Sequence, residues 1–448
     1  MRNFAKKLDN YIYYMLLLTV AIIPLKQELT AFCVAVTFLC AAFVAVAGDK
    51  KRRPAVLSNW EQGLLYALVA LGVVSLHFSL DTFISSWNFV YVAGQYGALL
   101  FVLFRYGWQL PRPFVRSSDG ETIAASEAVG FDGVAEEQGI KGWARCFKSL
   151  PRPMQLIGAF LAMSVFVSSL GIMQKVLGVT AEGIWVDPDQ FPDLKVRVFS
   201  TLVNPNILAG YLVLVVAYVT AFFNVSKGRK HLRLVLAATG ILTCVCLLYT
   251  YSRGNWLACA AVLLGFCALF NRRALLPVAG GGLLALLLGG QAVLHRLSSI
   301  TSGEDTSAAL RVAYLQSTLT MIEDFPFGVG WHGYRFMYPD YNFYLADTSV
   351  IMYHCHNIFL NVFVELGIQG LIVFLLVWGM FLRASWQLAK QGKSLWLQGM
   401  GQGYVLASIG IAVGGLTDHV YFNTQMGLLF WLLGGIIMLC RRLNAYEQ

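Results

Sequence analysis

The chain has 448 residues, 57% hydrophobic and only 13% charged, with a mean hydropathy of +0.63. That excludes a soluble globular domain and selects an all-α polytopic membrane protein. The net charge of +9 requires no nucleic-acid partner, because basic residues orient membrane proteins and meet anionic lipid.

Apolar runs of about 17 to 25 residues, each long enough to cross a bilayer, recur along the chain. They cover 11–24, 28–47, 60–78, 86–104, 154–174, 205–224, 232–250, 255–271, 274–293, 357–382, 400–416 and 424–440. About twelve spans are therefore predicted in a single transmembrane domain over 1–448. The N-terminus has a basic start and an apolar run without a small-residue cleavage site after it, and reads as a retained first span. If it is cytoplasmic and each span reverses the chain, eight of the 33 basic residues face outward: Lys26, Lys175, Lys195, Arg197, Arg253, Arg296, Arg311 and Arg335. This asymmetry obeys the positive-inside rule with both termini inside.

Three loops interrupt the spans. Residues 105–153 form a cytoplasmic insert, bracketed by Pro111-Arg112-Pro113 and Pro151-Arg152-Pro153, acidic and rich in small residues between Asp119 and Glu137. That composition is flexible and carries no catalytic duty. Residues 175–204 form an outer loop. Residues 294–356 form a longer outer one, and loops of that length tend to be functional. Asp305, Thr306 or Ser307 can cap a helix from Ala308 to Glu323 in it, which Pro326, Gly328 and Gly330 stop. Of the 9 cysteines most fall in apolar spans and only Cys355 is clearly outside, so no disulfide framework is indicated. There is no internal repeat, which disfavours transporters built from duplicated halves.

Chemistry-bearing residues gather at the predicted outer face. Arg197 opens the stretch Arg197-Val198-Phe199-Ser200-Thr201-Leu202-Val203-Asn204-Pro205-Asn206. Asn204 suits an N-cap and Pro205 a first helical position, so Arg197 precedes a helix N-terminus that itself favours anions. A headgroup-snorkelling arginine is the plain alternative. Arg253, in Tyr251-Ser252-Arg253-Gly254-Asn255, sits in a tight turn between two spans; capping the preceding carbonyls is its plain alternative. Guanidinium is a permanently charged planar fork suited to phosphate oxygens, so the two could clamp a pyrophosphate. His356-Asn357 stands where the long loop enters a span, followed by Gly367 and Gly370. An imidazole there can take or give a proton near neutral pH. Asn357 and the first helical turn can orient it, and the two glycines allow close approach of a neighbouring helix.

These three segments, with Leu310-Arg311-Val312-Ala313-Tyr314 and Pro326-Phe327-Gly328-Val329-Gly330, resemble the motifs of the O-antigen ligase family over roughly residues 190–440. The family includes O-antigen ligases, O-antigen polymerases, teichuronic acid biosynthesis proteins and protein O-oligosaccharyltransferases. The resemblance implies a metal-independent, inverting membrane glycosyltransferase of the C-type fold. It would move a glycan from undecaprenyl diphosphate onto an acceptor such as lipid A-core, at the periplasmic face of the bacterial inner membrane. It implies that Arg197, Arg253 and Arg311 bind pyrophosphate and that His356 activates the acceptor, without a metal or other cofactor. Asn357 and Glu365 are candidate supports. The expected partners are the lipid-linked donor, a lipid A-core or glycan acceptor, and membrane lipids, with no nucleic acid.

Other readings carry less weight. His354-Cys355-His356 looks like a metal site, but neighbouring side chains should diverge too far to share an ion. Asp187-Pro188-Asp189 reads as an acidic turn rather than a cation-binding Asp-x-Asp. Glu365, about two turns into a span, is costly unless protonated or hydrogen-bonded. His332, Asp418 and His419 are given no role beyond loop packing. Polymerase and protein O-glycosylation activities are the alternatives to ligation. A twelve-span transporter or flippase is the least expected, since it should place ionisable groups at mid-membrane in several spans.

Overall fold

The structure, a computed structural model, describes residues 2–47, 55–108, 115–116, 122–123, 147, 149–179, 197–298, 306–342 and 352–446. A helix occupies each of the twelve predicted ranges. In chain order they are α1 (Arg2–Ile22), α2 (Gln27–Ala47), α3 (Asn59–Ser75), α4 (Thr82–Tyr106), α5 (Arg152–Leu177), α6 (Pro205–Val225), α7 (Lys230–Tyr249), α8 (Arg253–Leu269) and α9 (Leu275–Ser298). After a further helix, α10 (Thr306–Asp324), come α11 (Ile358–Gln391), α12 (Leu395–Thr417) and α13 (Thr424–Tyr446). Among the described residues, 9 helices are long and apolar enough to cross a membrane: α2 to α7 and α11 to α13. The expected twelve is thus a count of helices, and a smaller number meet both requirements. α1 has Arg2, Lys6, Lys7 and Asp9 in its first half, and α8 is only 17 residues long. Within the predicted insert, Val115–Arg116 pairs antiparallel with Thr122–Ile123.

Helix starts follow their caps. Asn204 accepts a hydrogen bond from Asn206 N (2.8 Å) ahead of Pro205, and Asp81 accepts one from Ile84 N (2.8 Å). Each satisfies a backbone donor that has no partner within the helix. The centre of the bundle is α6, enclosed by α7, α8 and α12. Small residues on α12 let it close on α6: Gly403 lies against the Tyr218 ring and Gly410 against Val213. Dense packing of this kind, with no water to expel, is what holds helices together in lipid.

Side-chain bonds tie the helix ends into two sets. At one end Gln425 Nε2 donates to Ile23 O, Trp331 Nε1 to Asn88 Oδ1 (2.8 Å) and Asn357 Nδ2 to Leu416 O (3.3 Å). At the other, Arg441 pairs with Glu61, Arg152 NH1 donates to Tyr106 O (2.6 Å), and Lys390 Nζ donates to Leu269 O (3.1 Å). The sets match the two faces that alternation of the chain requires.

The segment after α10 is ordered by its own small core of Tyr314, Met321, Val329, Tyr334, Tyr338, Cys355 and Val364. Its backbone docks on α11, where Val329 N donates to Val364 O (2.8 Å), Gly330 N to Glu365 O (3.0 Å) and Ile368 N to Pro326 O (3.1 Å). This docking requires a break in α11. Gly367 has φ 73°, and a Cβ there would stand 2.4 Å from the Phe327 carbonyl. Gly367 therefore admits a loop backbone, not the neighbouring helix that its spacing with Gly370 predicts; an added Cβ at Gly370 would meet Leu366 of the same helix.

Candidate active site

Five helices, α6, α8, α10, α11 and α12, or the residues at their ends, build the site. Arg197 precedes α6 and is buried, at 9% exposure. Its Nε donates to Thr250 O (2.8 Å) and its NH2 to Asn206 Oδ1 (2.8 Å). Val198 N donates to Tyr249 O (3.2 Å), so the whole segment lies on the end of α7. A snorkelling surface arginine is excluded. Arg253, half-buried, is the first residue of α8, three residues beyond the carbonyl that Arg197 holds. It stands at a helix N-terminus, where the backbone dipole adds to its attraction for an anion. Gly254 beside it abuts Thr417 at the end of α12, and Asn255 Nδ2 donates to Ser252 Oγ (3.0 Å).

Asn206 connects this half to the imidazole. Its Nδ2 donates to Asp418 Oδ2 (2.9 Å), and the other carboxylate oxygen, Oδ1, lies 2.9 Å from His356 Nδ1. Burial alone would raise the Asp418 carboxyl. The hydrogen bond and charge of His356, with Arg311 and His354 nearby, instead hold it well below the usual carboxylate range. A carboxylate only accepts, so His356 Nδ1 is the donor, and in the neutral ring the lone pair is then on Nε2. Arg311, on α10, is half-buried and close enough to act on both Asp418 and His354. One turn along, Tyr314 stacks on the His356 ring, with centroids 5.4 Å apart and planes at 17°. Asn357 caps α11, accepting from Phe359 N (3.0 Å) and Leu360 N (3.1 Å), and thereby fixes the residue before it.

His354 and His356 do not diverge. Their ring centroids are 4.4 Å apart and His356 N donates to His354 Nδ1 (3.2 Å). The reason is local: His356 has φ 55°, so the backbone folds the two side chains to one side. With Asp418 they place three potential ligand atoms within 4.8 Å of one another, while Cys355 turns away and donates to Asn357 O (3.3 Å). Burial pushes the Cys355 thiol up to about 12. It also pushes His419 down to about 4, despite the adjacent Asp418. Positive φ recurs around this end at Ser200, Val203, Tyr251 and His332. Such conformations cost about 1–3 kcal/mol each and persist where surrounding structure enforces them.

Glu365 belongs to a neighbouring feature. Its backbone carbonyl accepts from Gly330 N (3.0 Å), which helps tie the docked loop to α11. It lines a cavity of about 940 Å³ between α3, α4, α11 and α13. Leu65, Val69, Phe89, Val92 and Phe430 form its apolar walls, and His332, Arg335 and His419 lie at the site end. Asp187 and Asp189 lie outside the described residues. All eight described cysteines are free thiols.

The bonds thus link Arg197, Asn206, Asp418, His356 and Asn357, with Arg253 and Arg311 adjoining. Asn206, Asp418, His354 and Tyr314 were not predicted as site residues. Asn206 stood inside a noted motif, and Asp418 marked a span end at the predicted outer face. No curated protein matches the chain. Residues 237–375, which contain Arg253, Arg311, His356, Asn357 and Glu365 but neither Arg197 nor Asp418, match the family model described as O-antigen ligase. That stretch of this multi-pass helical membrane protein is therefore similar to the O-antigen ligase family.

Proposed function

We propose that the protein transfers a glycan from undecaprenyl diphosphate onto a hydroxyl of lipid A-core, at the periplasmic face of the bacterial inner membrane, by a single inverting displacement. The observation that carries this reading is the bonded series from Arg197 through Asn206 and Asp418 to His356. It joins a cationic pocket to an oriented base. The acceptor oxygen attacks the anomeric carbon opposite the diphosphate while His356 Nε2 takes its proton. The bond to the diphosphate breaks, and undecaprenyl diphosphate departs with the electron pair. Diphosphate needs charge stabilisation rather than a proton, which Arg253, the α8 N-terminus, Arg311 and Arg197 supply. No divalent ion enters the step. The apolar cavity beside α11 suits a long lipid tail.

Polymerisation, in which a second lipid-linked glycan is the acceptor, and protein O-glycosylation use the same displacement with a different hydroxyl. A glycan gel of a deletion strain separates the first two. Ligation predicts loss of all polymer from lipid A-core, whereas polymerisation predicts a single repeat. The chemistry is tested with purified protein, lipid-linked donor and lipid A-core in excess EDTA. Transfer should continue, with the new bond of opposite anomeric configuration. Activity lost on chelation and restored by magnesium or manganese would overturn the metal-free step. Accessibility of a tag at residue 325 from outside, and of one at 130 only from inside, tests the orientation.

A further inference from the structure

The geometry of His354, His356 and Asp418 serves more than proton transfer. Their ligand atoms all lie within 4.8 Å of one another, two of the three residues are buried, and they come from two segments held by independent helix ends. A third imidazole stands alongside. His419 is 8% exposed, its ring centroid is 5.6 Å from that of His354, and its Nδ1 has no hydrogen-bond partner among the described residues. Two or three imidazoles with one carboxylate form a nitrogen-rich donor set. That set suits zinc, whereas magnesium and calcium prefer oxygen ligands. Zinc–nitrogen bonds of about 2.0–2.1 Å place tetrahedral ligand atoms roughly 3.3 Å apart. Side-chain rotations closing the cluster by on the order of 1 Å would therefore complete the site.

We propose that these residues form an inhibitory zinc site: Zn²⁺ held by His354, His356 and Asp418, with His419 beside them, silences glycosyl transfer. The inference rests on the reading of His356 as the base. Whichever ring nitrogen takes the ion, the base is lost. Bound at Nε2, zinc occupies the lone pair that would accept the acceptor's proton. Bound at Nδ1, it displaces the proton shared with Asp418, and the remaining ring proton must sit on Nε2. Arg311 faces the same cluster and repels a cation, so it sets an upper limit on the affinity.

Diphosphate also binds divalent ions, so the ion must be followed without donor. The full-length protein in detergent is titrated with ZnCl₂ by calorimetry and with Co²⁺ by visible absorption. One equivalent of zinc should bind, and cobalt should give the absorption of a tetrahedral nitrogen–oxygen site. His354→Gln should weaken zinc at least tenfold, and Arg311→Gln should tighten it. In the transfer assay, zinc at the concentrations that bind should inhibit, EDTA should restore full rate, and the same concentration of magnesium should leave the rate unchanged. Absence of zinc and cobalt binding, or inhibition that tracks donor concentration rather than protein, would overturn the site while EDTA-resistant activity left the metal-free base intact. Activity that EDTA abolishes and zinc restores would overturn the inhibitory role and the metal-free base together.

Discussion

The two ends of the bundle handle charge in opposite ways. At the end away from the site, Glu61 is 1% exposed and receives both Arg441 NH1 and NH2, and Ser58 N donates to the same carboxylate (2.8 Å). In that pair cation and anion are matched, and its contacts close back on the protein. At the site end the buried carboxylate of Asp418 serves Asn206 and His356, with Arg197, Arg253, Arg311 and two further imidazoles in the same cluster. In this cluster, among the described residues, cations outnumber carboxylates. A matched pair needs no ligand, whereas an excess of cations and helix N-terminal dipoles is stabilised by an incoming anion. Charges at a membrane boundary therefore separate into fastening and function by their stoichiometry, not by their number.

Substitutions at the two ends should separate accordingly. The largest effect is expected for His356→Ala, which removes the base and should lower the transfer rate by about 10²–10⁴-fold. Insertion and donor binding should survive, and a variant with undiminished turnover would remove His356 from the mechanism. Asp418→Asn should come next, by about 10²–10³-fold, because an amide no longer dictates which imidazole nitrogen carries the proton. A kcat loss with little change in the donor's KM distinguishes that from damage to the pocket. Arg253→Lys keeps the charge but not the fork, and should raise the donor's KM by roughly 10–100-fold. Wild-type kinetics in this variant would argue against pyrophosphate contact. At the far end Glu61→Gln should leave the rate alone and destabilise the bundle by about 1–3 kcal/mol, because Arg441 loses its ionic partner. Thermal unfolding in detergent measures this, and a change in kcat would show that the ends are coupled.

Periodicity and caps made the helices legible. The Asn204-Pro205 start of α6 and the 308–323 helix are predicted within two residues of their observed bounds because capping is local chemistry. The site was legible only as separate cations and one imidazole. What organises them is non-local: Asn206 and Asp418 are 212 residues apart, and Asp418 and His356 are 62 apart. Nothing in Thr417-Asp418-His419 distinguishes an orienting carboxylate from a polar span end. The close pairing of His354 with His356 escaped the sequence for another reason. It depends on a left-handed backbone at His356, and histidine adopts that conformation without a marker such as glycine. Glu365 was legible as a costly charge but not as the residue whose backbone carbonyl receives Gly330 N from a loop far upstream in the chain.

The position of Asp418 has a consequence for biosynthesis. A chain inserted from its N-terminus presents Arg197 and Asn206 to the membrane early, with α6 among the most buried helices of the finished bundle, at 83% of its apolar window. The helix it packs against most, α12, and the turn that carries Asp418 emerge only later, 212 residues after Asn206. Until then Asn206 has no carboxylate to bond and His356 has no group to orient it. A chain that has not yet reached α12 therefore holds the cations without an oriented base, and the proposed transfer requires α12 and the turn after it to be in place.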